Sequence, residues 1–158
     1  MLPMDVALPA KNFTCAYDPA TGILRGHWAG PGAVATLPAC YKQLLAVAQA
    51  HKDCRFWLLD MQHRDWHDES FARWFGECFA PQVSAALGQP VFIACVVRPG
   101  QRPQVEHMRT DLLLRLAAEV TIFPFYFDNV ANATAWLRDQ QAGDPPLASQ
   151  LAAGYHSA

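Results

Sequence analysis

The stretch VFIACVV at residues 91–97 sets the fold class of this chain, because all seven residues are apolar and three are valine. β-Branched residues favour strands. A short, uninterrupted apolar run is typical of a strand that is buried on both faces, as in parallel sheets covered by helices. The run FWLL at 56–59, which leads into Asp60, has the same character. Together the two runs predict the centre of an α/β sheet.

The segments outside these two strands predict the rest of the sheet. Residues 13–17 and 23–28 alternate as half-buried strands do, and DPATG at 18–22 between them is rich in turn residues, so the pair predicts a β-hairpin. Residues 120–127 predict another strand. Because proline cannot donate to the strand ladder, Pro124 predicts that this strand lies at an edge of the sheet or contains a bulge.

Four stretches carry apolar residues at helical spacing and predict the helices that cover the sheet. They are residues 36–52, 68–79 (with Pro81 just past its end), 105–116 and 128–137. We therefore predict one α/β domain at residues 12–141, with a mixed sheet of about five strands (an N-terminal hairpin, then alternating strands and helices) flanked by about four helices. Residues 1–11 are expected to form a flexible arm and residues 142–158 a mobile tail.

The composition is that of a single-domain globular protein. The chain has 158 residues, of which 52% are hydrophobic and 16% charged, so it has enough apolar material for one core. The net charge of −2 includes no basic stripe, so no nucleic-acid partner is expected. No segment resembles a signal peptide or a membrane span, which predicts a cytoplasmic protein without membrane insertion. The five widely spaced cysteines predict reduced thiols.

Several short patterns resemble the STAS and SpoIIAA-like superfamily, which comprises anti-sigma-factor antagonists and many bacterial relatives. They are YDPATG at 17–22, FWLLD at 56–60, the helix start near Asp68, FDNV at 127–130 and AWL at 135–137. The resemblance covers roughly residues 12–140 and is one of element order and short patterns. It implies a bacterial protein that regulates through binding rather than through catalysis.

Ser70 is the residue that this resemblance marks as a possible phosphosite. In the superfamily's switch proteins, a Ser or Thr at the start of the helix after the Asp-ending strand is phosphorylated. Ser70 is the only hydroxyl residue between Asp60 and Phe79. A phosphate at a helix N-terminus is favourable, but Asp68 and Glu69 would repel it and a bulky residue follows. The alternative is an ordinary residue in the first turn of a helix.

The loop after the strand at 56–59 holds the densest group of polar side chains. DMQHRDWHD at 60–68 contains two histidines and three carboxylates, and ligands of α/β sheets bind at the carboxyl ends of strands. His63, Asp65 and His67 offer nitrogen and oxygen donors to zinc or another divalent metal. A solvated loop, in which Asp68 caps the next helix, explains the same residues.

Two arginines follow the strand at 91–97 and should lie near this loop if the strands are parallel. Arg98 and Arg102 could hold a phosphate or a carboxylate, although loops at this place are also simply polar. The candidate ligand or partner surface therefore consists of Asp60, His63, Arg64, Asp65, His67, Arg98 and Arg102.

The sequence contains no motif for nucleophilic catalysis, so neither a catalytic residue nor a cofactor is predicted. We expect a non-enzymatic, STAS-like binding or regulatory module that acts through a protein partner or a small ligand. One alternative is a small metal-dependent or acid–base enzyme that uses His63, Asp65 and His67. A second alternative is a structural homodimer joined through the hairpin or an edge strand.

Overall fold

The computed structural model describes residues 12–30, 34–64, 69–101, 103, 106–107 and 122–143. The predicted arm, most of the predicted helix at 105–116 and most of the predicted tail lie outside these residues. Within them the chain forms one five-stranded mixed sheet with helices on both faces. The predicted α/β fold class is therefore confirmed.

The described elements begin with a pair of strands, and helices follow the second, third and fifth strands. They are β1 (Phe13–Asp18), β2 (Ile23–Trp28), α1 (Leu37–Ala50), β3 (Phe56–Asp60), α2 (Glu69–Trp74), α3 (Ala80–Leu87), β4 (Val91–Val96), β5 (Ile122–Phe127) and α4 (Val130–Gly143). A π-helical turn, Phe75–Phe79, joins α2 to α3, and 3-10 turns lie at Val34–Thr36 and Pro99–Gln101. Because α4 runs to Gly143, residues 142–143 belong to the last helix and not to the predicted tail.

The strands lie side by side in their chain order, β1-β2-β3-β4-β5. β1 and β2 are antiparallel, as the predicted hairpin requires, and every later pair is parallel. The hairpin turn depends on Asp18, whose carboxylate accepts hydrogen bonds from Ala20 N and Thr21 Oγ1, both at 3.0 Å. Gly22 follows with a φ of +73°, a conformation that glycine adopts without a steric penalty.

The alternation of side chains along the strands divides the core into two layers. On the first face of the sheet, Leu24, Leu59 and Ile93 belong to one buried cluster with α1, α3 and the π-helical turn. On the second face, residues one position away, such as Leu58 and Ala94, form a smaller cluster with α4. This arrangement explains why β4 reads as a continuous apolar run, since all six of its residues are buried.

Of two prolines whose positions the sequence predicted, one lies where it was expected and the other does not. Pro124 lies in β5, an edge strand, as predicted. Pro81 was expected just past the end of a helix, but it lies in the first turn of α3, and the helical path continues to Leu87. A π-helical turn, in which Ala80 N donates to Phe75 O, lies directly before it, and proline is tolerated in the first turn of the helix that follows.

Candidate functional site

The carboxyl ends of β2, β3 and β4 meet at one edge of the sheet because these strands are parallel. In the strand register His27 lies opposite Asp60, and Asp60 lies opposite Val96. Side chains two residues apart point to the same face, so His27 shares the second face with Ile23, and Asp60 shares it with Leu58. The polar side chains at this edge therefore arise from neighbouring strands.

His27 and Asp60 form a cross-strand pair. His27 Nδ1 lies 3.2 Å from Asp60 Oδ2, a distance at which the imidazole N–H donates to the carboxylate. The side chains are 46% and 21% exposed, so the pair is open to solvent. Sequence reasoning included Asp60 among the candidates but missed His27. The only local signal was its outward position near the end of β2, and the contact depends on β2 lying next to β3.

Asp60 also organises the start of the loop that follows β3. Its Oδ1 accepts from Gln62 N at 3.2 Å and from Gln62 Nε2 at 3.0 Å. Arg98, which follows β4, donates from Nη1 to the backbone oxygen of Gln62. We call His27, Asp60, Gln62 and Arg98 the carboxyl-edge cluster. Asp60 and Arg98 therefore both contact Gln62.

Arg64 does not belong to this surface, contrary to the sequence-based expectation. It is 1% exposed and lies on the first face. Its Nη1 donates to the Tyr41 hydroxyl at 3.0 Å, and its guanidinium carbon lies 4.5 Å from the ring centre of Trp28 and 5.4 Å from that of Phe71. A flat cation packs well against aromatic faces, so Arg64 turns inward and leaves its neighbours at the surface.

The remaining candidates are described only in part. His63 is exposed. Asp65, His67 and Arg102 lie outside the described residues, so the metal site predicted on His63, Asp65 and His67 stays a prediction. The backbone of Ser70 lies in α2, but its side chain is likewise outside the description. In the described part of the chain, no group of three or more His, Cys, Asp or Glu side chains could hold a metal ion.

Four of the five cysteines are buried in the core. All five are free thiols, and only Cys78 is exposed. Burial raises the pKa of Cys15 to about 11 and also raises the pKa of Cys40 and of Cys54. Because the thiolate is the reactive form, these three thiols are unreactive near neutral pH.

Comparison with known proteins does not add to this description. The chain matches no family model, no curated protein and no solved structure. Among the described residues, no helix is both long enough and apolar enough to cross a bilayer.

Proposed function

We propose that this chain is a non-enzymatic, STAS-like regulatory module that acts by binding a protein partner through the carboxyl-edge cluster. One observation carries the proposal, namely that polar residues at or just after the ends of three adjacent strands, exposed at His27 and Arg98 and half-buried at Asp60 and Gln62, are joined by hydrogen bonds. Asp60 contacts both His27 and Gln62, and Arg98 contacts Gln62. The cluster therefore offers a donor and acceptor pattern on a rigid support.

Rigidity matters for this function because binding orders the side chains of an interface. Ordering a flexible side chain costs roughly 0.5–1.5 kcal/mol. Asp60 and Gln62 lose less conformational entropy on binding, because their mutual hydrogen bonds already limit their rotamers in the free protein. Charges of both signs, from Asp60 and Arg98, would select a partner with the complementary pattern and repel a mismatched one.

The exposure of the cluster supports binding more than catalysis. The His27 side chain is 46% exposed, whereas acid–base catalysis works best where water is excluded around the reacting groups. Still, an imidazole whose Nδ1 contacts a carboxylate has the geometry of an oriented general base. This contact favours an acid–base enzyme as the second candidate, with His27 as the base and Asp60 as the residue that orients it.

The experiment that tests the first candidate is affinity capture from the source cell with the immobilised full-length chain. We compare the natural chain with Asp60→Asn, which removes the charge, and with Asp139→Asn, a matched change at an exposed carboxylate on α4. We expect one protein to be retained by the natural chain and by Asp139→Asn, and its retention to fall at least about tenfold for Asp60→Asn. Equal retention by all three chains would contradict the proposal.

The other hypotheses have independent tests. A metal-dependent enzyme on His63, Asp65 and His67 requires stoichiometric metal in the purified protein, which elemental analysis measures. A structural homodimer requires a mass twice that of the chain in light scattering.

Phosphorylation of Ser70, which a STAS-like switch would use, is tested by mass spectrometry of the protein isolated from its own cell. A cytoplasmic location stays a prediction, which fractionation of that cell tests.

A further inference from the structure

The outer edge of β1 lacks the features that usually protect an edge strand. Among the described strands, β1 has one neighbour, β2, and β5 forms the opposite edge of the sheet. Edge strands are commonly protected from further pairing by a proline or by charged side chains. β5 contains Pro124, whereas FTCAY at 13–17 in β1 contains neither a proline nor a charged residue. β1 is therefore the edge to which another strand can be added.

The hydrogen-bond pattern of the hairpin determines which backbone groups of β1 face outward. Ala29 N donates to Asn12 O at 2.7 Å, so these two residues form a hydrogen-bonded pair. Such pairs alternate with non-hydrogen-bonded pairs along an antiparallel ladder. By this alternation, Thr14 and Ala16 direct their backbone groups toward β2. The residues whose backbone N–H and C=O groups point away from β2 are Phe13, Cys15 and Tyr17.

These outward groups are complementary to those of a second copy of the same strand. When two β1 strands run antiparallel with Cys15 opposite the partner's Cys15, Phe13 lies opposite the partner's Tyr17. Each of these pairs then exchanges two backbone hydrogen bonds. In the same register Thr14 lies opposite the partner's Ala16, and both side chains are small and exposed on the second face. The edge is therefore complementary to itself in hydrogen bonding and in side-chain size.

The helix that covers β1 presents an uncharged side to a second copy. α1 packs on β1 and β2, and the ring contacts of Tyr41 with Phe71 and Phe79 mark the side of α1 that faces α2 and the π-helical turn. The side of α1 turned toward the β1 edge carries, at helical spacing, Gln43, Val47 and Ala50. Side chains of paired strands share a face, so the second copy's α1 would lie on the same side of the joined sheet. Without charges on these sides, the two helices can approach.

We infer that two copies of this chain pair antiparallel through their β1 strands, around a two-fold axis at Cys15, so that their sheets join into one continuous sheet. This interface goes beyond the proposed function and does not depend on it. Asp60 lies on β3 and Arg98 follows β4, so both remain accessible to another protein. Because the two copies run in opposite directions, their carboxyl-edge clusters lie at opposite ends of the joined sheet, and the dimer presents two binding surfaces.

The first test is light scattering on the purified full chain over a range of concentrations. We expect twice the mass of one chain, with dissociation on dilution. The disrupting variant combines Thr14→Glu with Ala16→Glu. In the free chain the new carboxylates lie opposite His27 and Arg25, which is tolerated, whereas in the dimer each lies opposite a carboxylate of the second copy. The dissociation constant of the dimer should therefore rise at least about tenfold.

Two further chains separate this repulsion from a general effect of charge. Ala131→Glu with Ala135→Glu adds the same charge at exposed positions of α4 and should leave the dissociation constant unchanged. A chain with Thr14→Lys and Ala16→Lys should pair with the glutamate chain when the two are mixed, because opposite charges then face each other across the interface.

Disulfide cross-linking tests the register by a second route and remains informative if the glutamate chain does not fold. Thr14→Cys and Ala16→Cys are placed in separate chains, each with Cys78→Ser to remove the exposed natural thiol. The inferred register places positions 14 and 16 of the two copies directly opposite each other in a non-hydrogen-bonded pair, where the Cα atoms are close enough for a disulfide. A mixture of the two chains should therefore cross-link faster than either chain alone.

Three results would overturn the inference. They are a natural chain with the mass of one chain at every concentration, a folded glutamate chain that dimerises as tightly as the α4 control, and a single-cysteine chain that cross-links as fast alone as in the mixture. Each of these measurements uses the purified chain without another protein. Their failure is therefore distinguishable from a failure of the Asp60→Asn capture experiment, which tests the proposed function.

Discussion

His27 Nδ1 and Asp60 Oδ2 lie 3.2 Å apart although 33 positions separate the two residues in the chain. The contact follows from the parallel pairing of β2 with β3, in which the two residues are register partners. It joins the opening hairpin to the parallel part of the sheet at the edge where we propose that a partner binds. Substitutions in this pair therefore test both the pairing of β2 with β3 and the proposed function.

Replacing Asp60 should have a small effect on stability that depends on the substitution. An exposed ion pair contributes about 0–1 kcal/mol and an ordinary hydrogen bond about 0.5–1.5 kcal/mol. Asp60→Asn keeps an acceptor for Gln62 and should lower the free energy of unfolding by less than about 1 kcal/mol, and Asp60→Ala by about 1–2 kcal/mol. Urea denaturation measures both values. Asp139→Asn is the control, and a larger loss for Asn than for Ala would contradict this account.

Arg64→Lys should destabilise the protein by about 1–3 kcal/mol, although the charge is conserved. Lysine has no flat face to pack on the Trp28 ring and cannot reproduce the geometry of the bond to Tyr41. Arg73→Lys is the matched control, because Arg73 is 67% exposed and its contact with Glu77 is long, at 3.9 Å. Its unfolding free energy should change by less than about 0.5 kcal/mol. Equal effects of the two substitutions in urea denaturation would argue against the buried position of Arg64.

Gly26→Ala should destabilise the core by overpacking. A Cβ atom at Gly26 would lie 2.9 Å from Leu59 Cδ2 and 3.1 Å from Leu44 Cδ2, and both leucines are fully buried. Overpacking of this kind costs about 1–3 kcal/mol. Because valine lacks the δ-carbons, the cost of Gly26→Ala should be smaller when Leu59→Val is also present, which a double-mutant cycle in urea denaturation measures.

Gly88→Ala is the control for that cycle. Gly88 has a φ of +70° and open space around it, so alanine there is strained without a clash. The cost of Gly88→Ala should be the same with and without Leu59→Val. If the cost of Gly26→Ala were equally independent of Leu59, the clash would not be its cause.

The hairpin turn should make stability depend on pH in the acid range. The Thr21 hydroxyl, which donates to the Asp18 carboxylate, and the Ala20 N–H hold the pKa of Asp18 below its usual range. The folded state therefore binds this proton less readily than the unfolded state. The resulting stabilisation is present above the usual aspartate pKa and is lost as the pH falls through the lower pKa of the folded state.

The measurement is denaturation at a series of pH values for the natural chain and for Asp18→Asn. The asparagine variant lacks the titrating carboxylate, so its unfolding free energy should fall less steeply with decreasing pH. Parallel curves for the two proteins would show that Asp18 does not contribute to the pH dependence.

Much of the fold could be predicted because its signals are local. The apolar run at 91–97 marks a buried strand wherever it lies, and DPATG at 18–22 forms a tight turn with its own side chains and one glycine. Pro124 marks an edge strand because it lacks an N–H group. Pro81 misled the analysis because a π-helical turn, which has no recognisable local pattern, precedes it.

Which residues meet in the candidate site depends much more on contacts between distant segments of the chain. Asp60 and Arg98 were predicted to lie together because both follow buried strands, and parallel strands end at the same edge of a sheet. His27 was missed because its partner is set by the strand order. Arg64 was misplaced because two of its aromatic neighbours, Trp28 and Tyr41, come from distant parts of the chain. Hydrophobic periodicity and turn residues act over a few positions and so specify the elements, whereas the neighbours of a polar side chain emerge when those elements pack.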